Sequence, residues 1–264
     1  MQYFDTHAHY YDSRFSEETE GGAYPLLDAL FAGDVSGIVN VATSPQNYDE
    51  TIAQAMRYPK MYTALGIHPS DCQYLEGKLD HYMAQLYTYL TTPENKVVAL
   101  GEIGLDYHYD DTDQGRQFTF LHAQLELAEQ LHLPVVIHDR DAHGDIMNIL
   151  GQHPHVRGVM HSFSGSAEMA KILIRRDFYI SFSGVITFKG ARKTVEVAAM
   201  LPHDRVLIET DCPYLAPTPH RGKLNHSGHL VYTNQALASA MGISPEECAT
   251  LTTQNAHTFF SLSE

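Results

Sequence analysis

Apolar and polar positions along this chain alternate between two rhythms. Short runs rich in β-branched and aromatic residues occur at 2–9, 37–43, 62–68, 97–107, 134–138, 157–163, 179–188 and 206–211. Runs of this length, bounded by polar, Gly or Pro residues, read as buried strands. The stretches between them carry the helical rhythm. In the longest, Phe118, Leu121, Leu125, Ala128 and Leu131 or Leu133 recur at steps of three to four, which gives a helix one apolar face. Eight strand–helix units are the number that closes a (β/α)8 TIM barrel, an α/β fold. An open doubly wound sheet is the rival, but no G-x-G-x-x-G follows the first run. One more helix is predicted over 244–262, packed outside the barrel. Ser244 is its cap, Pro245 its first residue, and Glu246 and Glu247 place acid in its first turn. No linker, repeat or low-complexity tract intervenes, so residues 1–264 are expected to form one domain.

A barrel of this kind keeps its chemistry at the carboxyl ends of the strands. The polar residues of this chain fall there. The first run ends in Asp5-Thr6-His7-Ala8-His9, the third in His68, the fourth in Glu102, the fifth in His138, the sixth in His161 and the eighth in Asp211. His7 and His9 are two apart on a strand, so both imidazoles share a face. Taken alone the pair is weak, because 17 His in 264 residues give roughly one H-x-H by chance. His153-Pro154-His155 has the same spacing but lies between a helix and the next strand, at the opposite end, and reads as structural or solvated. The imidazoles and carboxylates that share the carboxyl ends form a mixed N/O set suited to Zn²⁺, Mn²⁺, Fe²⁺ or Co²⁺, or to Mg²⁺ with water ligands. The set exceeds what one open catalytic ion needs, so two ions bridged by a carboxylate fit better.

Composition narrows the setting. The 17 Lys and Arg against 32 Asp and Glu leave a net charge of −15, which argues against a broad basic footprint on a duplex. A nucleic acid remains a possible substrate if a local cationic site engages only its end. Cys72, Cys212 and Cys248 are too widely spaced for a CxxC motif or a disulfide framework, which favours a reducing, cytoplasmic setting. No basic region followed by an apolar stretch opens the sequence, and no apolar run reaches a membrane span, so neither secretion nor a membrane partner is expected. No P-loop, G-x-S-x-G elbow or H-E-x-x-H is present.

These stretches resemble the TatD-type metal-dependent hydrolases: DTHAH, GIHP, GEIGLDY, LPVVIHDRDA, GVMHSFSG, YISFSGVITFK, RVLIETDCPYLAP and the closing Asn255-Ala256…Phe260. The resemblance covers essentially the whole chain, in order. It implies an amidohydrolase-like barrel, two divalent metal ions (Mg, Mn or Zn) and a deoxyribonuclease activity, often 3′→5′ on DNA ends. Carried over, it gives one ion to His7, His9 and Asp211 and the other to His138 and His161. Glu102 bridges them, and His68 lies near the scissile phosphate. One departure stands out. After Arg221-Gly222-Lys223 the family usually reads Asn-Glu-Pro, whereas here Asn225 precedes His226-Ser227. The substrate loop is therefore expected to differ.

The expected mechanism is attack by a metal-activated water, with Asp211, Glu102 and His68 as catalytic groups. Arg140 is expected to clamp phosphate or to pin a neighbouring carboxylate, and Arg221 and Lys223 to hold the substrate's phosphates. Asp106 and Asp139 are candidates to orient the ligand imidazoles. Tyr10, Tyr11, Tyr107, Tyr109 and Tyr214 could form a rim on which unpaired bases stack. The expected partner is DNA, single-stranded or at 3′ ends, with no obligate protein partner. Two other readings compete: a di-metal hydrolase of a non-nucleic ester or aminoacyl bond, such as a D-aminoacyl-tRNA deacylase, and a catalytically silent nucleic-acid-binding module.

Overall fold

A computed structural model describes residues 1–109 and 111–262. Its strands are β1 (Tyr3–Ala8), β2 (Val35–Ala42), β3 (Met61–Leu65), β4 (Val97–Asp106), β5 (Val135–Arg140), β6 (Gly158–Met160), β7 (Tyr179–Phe182) and β8 (Val206–Ile208). They lie side by side in sequence order, and every neighbouring pair is parallel. Helices fill the connections, and a parallel bridge from Ala8 to Cys212 brings the end of the sheet back to its start. The result is a (β/α)8 barrel.

Strand pleating sorts the apolar residues into two layers. Phe4, Val39, Val41, Ala64, Ala99, Val136, Val159, Tyr179 and Leu207 pack together inside the barrel, with at least one contributed by each strand. Leu65, Leu100, Ile103, Ile137, Ile180 and Ile208 face the surrounding helices. Helix Gln114–Leu131 shows the match of pattern to packing: Asp113 caps it, and Leu121, Leu125 and Ala128 are buried on its inner face.

Two expectations need correction. The run 179–188 is not one strand. β7 stops at Phe182, and a 3₁₀ turn, Gly184–Thr187, follows, with the Ser183 hydroxyl accepting from the Val185 N–H. A Cβ at Gly184 would lie 2.2 Å from the Leu215 carbonyl oxygen, so the chain turns where another backbone passes. The last helix, Pro245–Phe259, also does more than pack outside. Ser244 caps it as expected, but Ala256, Phe259 and Phe260 join the inner layer against Phe4 and Tyr179. Small residues such as Ala64 and Ala99 leave room there that these aromatic rings fill.

No described helix is long and apolar enough to cross a membrane. All three cysteines are buried and free.

Candidate metal centre

Even spacing from inward-facing residues delivers most of the site. His68 follows Ala64 by an even step, His138 follows Val136, His161 follows Val159, and Glu209 and Asp211 follow Leu207. His7, His9 and Glu102 break the rule, since each stands an odd step from its inward neighbour, Phe4 or Ala99. Strict pleating would aim all three at the helices. The pairing of β1 with β2 slips between Asp5 and Ala8, however, and that of β4 with β5 slips between Gly101 and Ile103. An irregularity of this kind re-aims a side chain. Glu102 lies within β4 rather than at its end, which is Asp106.

Glu102 occupies the centre and is buried. Its Oε1 lies 2.8 Å from His138 Nδ1, 3.2 Å from His161 Nε2 and 3.6 Å from His68 Nε2. Its Oε2 lies 3.2 Å from His7 Nε2 and 3.7 Å from His9 Nε2. Asp211 Oδ1 stands 3.2 Å from His9 Nε2. Three sets of ligand-type atoms each gather within 4.8 Å: His7, His9 and Asp211; His7, Glu102 and His161; and His68, Glu102 and His138.

Hydrogen bonds behind the rings select which nitrogen is free. His9 Nδ1 donates to the Val41 carbonyl at 2.7 Å, and His161 Nδ1 donates to Glu209 Oε1 at 2.8 Å, so both present Nε2. His138 Nε2 donates to Asp106 Oδ2 at 3.0 Å, which leaves Nδ1 toward Glu102. His68 differs. It caps the short helix Pro69–Cys72, and its Nδ1 accepts the Ser70 N–H. The proton of a neutral ring is then on Nε2, which makes His68 a donor facing the site rather than a lone-pair ligand.

The cluster fits divalent cations. Glu102, Asp106, Glu209 and Asp211 converge here, and their ion-pair partners among the described residues are imidazoles, with no Lys or Arg. His7 Nε2 and His9 Nε2 stand 3.0 Å apart, and His7 Nδ1 is buried with no hydrogen-bond partner. Donor atoms crowded together in this way, with acid in excess, suit a shared positive ion.

Without metal, protons take that role. Burial disfavours the imidazolium of His161, but Glu102 and Glu209 outweigh it and raise its pKa to about 10. Burial is likewise overcome at His138 by hydrogen bonds to Asp106 and Glu102, which raise it to about 9. Burial would raise Glu102, yet the charges of His161, His68 and His7 hold it well below the ordinary range. Burial would raise Asp211 too, but its hydrogen bond to His9 and the charges of His161, His9 and His7 together lower it. Imidazole pKa values raised above the unfolded 6.5 stabilise the fold fully below that pH, and the gain is lost as pH climbs through 9 to 10. Metal-stripped protein is thus expected to melt at lower temperature as pH rises from 6.5 to 10. Saturating Mn²⁺ should reverse the trend between pH 6.5 and 8, because the rings must lose protons to ligate. Melting curves with and without chelator check this, and a stripped protein that gains stability with pH would contradict it.

Sequence reasoning missed Glu209. It is buried, and its Oε1 accepts both His161 Nδ1–H and the Ser162 N–H at 2.7 Å. Its even spacing from Leu207 and Asp211 was the available signal. Glu209→Gln is expected to keep the fold and lower metal affinity by roughly 10- to 100-fold, measured by metal titration. Unchanged affinity would remove Glu209 from the site.

Other expectations resolve individually. Asp106 backs His138, but Asp139 Oδ2 pairs with His143 Nδ1 at 2.8 Å and orients no cluster imidazole. Arg140 is exposed and lies over the Tyr109 ring, 5.6 Å from its centroid, so it pins no carboxylate among the described residues. Arg221 and Lys223 are both exposed. Tyr10 is buried against Ser227 and leaves the rim, whereas Tyr109 and Tyr214 are exposed. Asn225 and Ser227 face inward. Asn225 Nδ2 donates to the carbonyls of Thr210 and Tyr214, and Ser227 Oγ donates to Asp5 Oδ2 at 2.7 Å. Burial raises the Asp5 pKa to about 6. Asn225 and Ser227 thus tie the loop after β8 to the barrel through buried hydrogen bonds. His153 contacts His122 Nδ1 at 2.9 Å and is structural.

The profile of the family described as "TatD related DNase" matches residues 4–261. The Bacillus subtilis (strain 168) protein YabD, named as an uncharacterized metal-dependent hydrolase, is 36% identical over 98% of this chain and 99% of its own. Among solved structures, the TatD homolog YjjV from Escherichia coli K12 superposes with a TM-score of 0.88 at 33% identity, covering 99% of this chain and 98% of its own. A TatD family hydrolase from Entamoeba histolytica shares the fold, with a TM-score of 0.83 at 21% identity over 100% of this chain and 99% of its own. Matches running nearly end to end, on a barrel that gathers these imidazoles and carboxylates at one mouth, place the chain in the TatD family of metal-dependent hydrolases.

Proposed function

We propose that the protein is a deoxyribonuclease of the 3′→5′ exonuclease type, acting on single-stranded DNA or 3′ ends. The observation that carries this reading is Glu102, with His7, His9 and Asp211 on one side and His138 and His161 on the other. His7, His9 and Asp211 would hold one divalent ion and His138 and His161 a second, with Glu102 shared. Ions so held would supply the positive charge that acidifies a water and offsets charge developing on the phosphoryl oxygens.

The chain's own groups supply the rest. Asp211 is more open to solvent than Glu102, with 15% of its side chain exposed against 4%, and it is ionised at neutral pH. It would orient the attacking water and accept its proton. His68 presents Nε2–H beside Glu102 and can donate to the leaving oxygen. Arg140, exposed with its guanidinium carbon 5.6 Å from the Tyr109 ring centroid and no ion pair among the described residues, would offer N–H groups to a phosphate. The buried free thiols suit the reducing cytoplasm, where we place the activity.

Chelation followed by addition of Mn²⁺ or Mg²⁺ tests the reading on a 3′-ended single-stranded oligonucleotide. Cleavage should vanish and return. Full activity after metal stripping would overturn it. Preference for a D-aminoacyl-tRNA in a parallel assay would redirect it to acyl transfer, and binding of the oligonucleotide without cleavage would make the protein a silent binder.

A further inference from the structure

Beyond β7 the chain makes its 3₁₀ turn, Gly184–Thr187, and beyond β8 it runs through Thr218 to Arg221. The Thr218 N–H donates to Thr187 Oγ1 at 2.8 Å and ties the two segments together. A cleft of about 580 Å³ opens there, lined by Val185, Phe188, Lys189, Thr194, Thr218 and Arg221 among others. Its two walls follow the carboxyl ends of β7 and β8, the end of the barrel that carries the metal-ligand cluster. Ser183, at the start of the turn, meets the hydroxyl of Ser162 at 2.8 Å, and Ser162 follows His161. The opposite wall is the continuation of the segment that carries Asp211.

The chemistry of this cleft differs from the rest of the molecule. The Arg221 guanidinium carbon lies 3.8 Å from the centroid of the Phe188 ring. Stacking holds the planar group by one face and leaves its N–H edge for an acceptor. Lys189 is exposed beside it, and no carboxylate is among the described lining residues. In a chain of net charge −15, two cations with no acid between them make a local positive site. Lys223 is not part of the lining.

We propose that this cleft is a subsite for a second phosphate of the substrate, the one next to the phosphate under attack, seated on Arg221 and Lys189. Thr194 and Thr218 offer hydroxyls to the same group. The subsite deepens the nuclease reading and rests on it. It selects substrates with consecutive phosphates, such as an oligonucleotide, over esters that carry a single anionic group.

Isothermal titration of the metal-loaded protein with thymidine 3′,5′-bisphosphate and with thymidine 5′-monophosphate tests it. The bisphosphate should bind at least about tenfold more tightly, a step that one charge-assisted phosphate contact can supply. In Arg221→Gln and Lys189→Gln that preference should fall toward equality, with melting temperatures matching the parent. Equal affinities in the parent protein, or variants that weaken both ligands alike, would overturn the subsite. The nuclease reading fails separately. If the parent protein hydrolyses no phosphodiester but keeps a bisphosphate preference sensitive to Arg221, the subsite stands and the assigned reaction falls.

Discussion

Glu102→Ala is expected to lower turnover on the order of a thousandfold, equivalent to the several kcal/mol that bound metal contributes to a hydrolytic transition state. Its two oxygens approach the nitrogens of His7, His9, His68, His138 and His161, so no other side chain touches as much of the centre. Removing it takes away the shared carboxylate and leaves neighbouring imidazoles to repel one another once charged. Metal content should drop by one equivalent or more per chain. Glu102→Gln separates charge from volume, since it fills the same space with a neutral group, and should lose nearly as much activity. Turnover and metal analysis on both variants check this. Near-parental turnover in either would mean that the centre is organised around another residue.

Gly104→Ala is expected to destabilise the fold by about 3 kcal/mol or more, through backbone strain joined to a steric clash. Gly104 has φ +154°, and a Cβ there would lie 1.8 Å from the His138 carbonyl oxygen. That oxygen belongs to the rigid neighbouring strand, where Gly104 pairs with His138. No side-chain rotation relieves the contact, so β4 and β5 must separate at the residue that carries a cluster imidazole. Loss of stability and loss of activity should therefore appear together. Gly144→Ala is the control. Gly144 lies in the helix His143–Gln152 with nothing within 4 Å of its added Cβ, and the change should stabilise by about 0.5–1 kcal/mol. Urea unfolding of both measures the contrast, and equal midpoints would refute the steric account.

Much of the barrel was legible because burial writes itself directly into residue choice. Each strand is an apolar run, and the long helix over 114–131 repeats its apolar face at helical steps. His68, His138, His161 and Asp211 were legible for the same reason, since period-two alternation carries them inward. His7, His9 and Glu102 were found from their position after apolar runs, while their orientation was not readable. It depends on slips in strand pairing, which are properties of two strands together. The short β7 was misjudged because Val185, Ile186 and Phe188 look like strand residues, and the turn is imposed by Ser183 and by the passing backbone at Leu215. Glu209 was overlooked because only the residue that ends the run, Asp211, was taken as a ligand, although Glu209 shares its even spacing from Leu207.

The aromatic floor joins segments far apart in the chain. The rings of Phe4 and Phe260 lie 6.4 Å apart between centroids. During synthesis the barrel's first strand leaves the ribosome long before the segment that seals its base, so the apolar interior stays uncapped until the final helix docks. Holding that helix back, by a stalled ribosome or a short tether, would leave an open-bottomed cylinder prone to self-association.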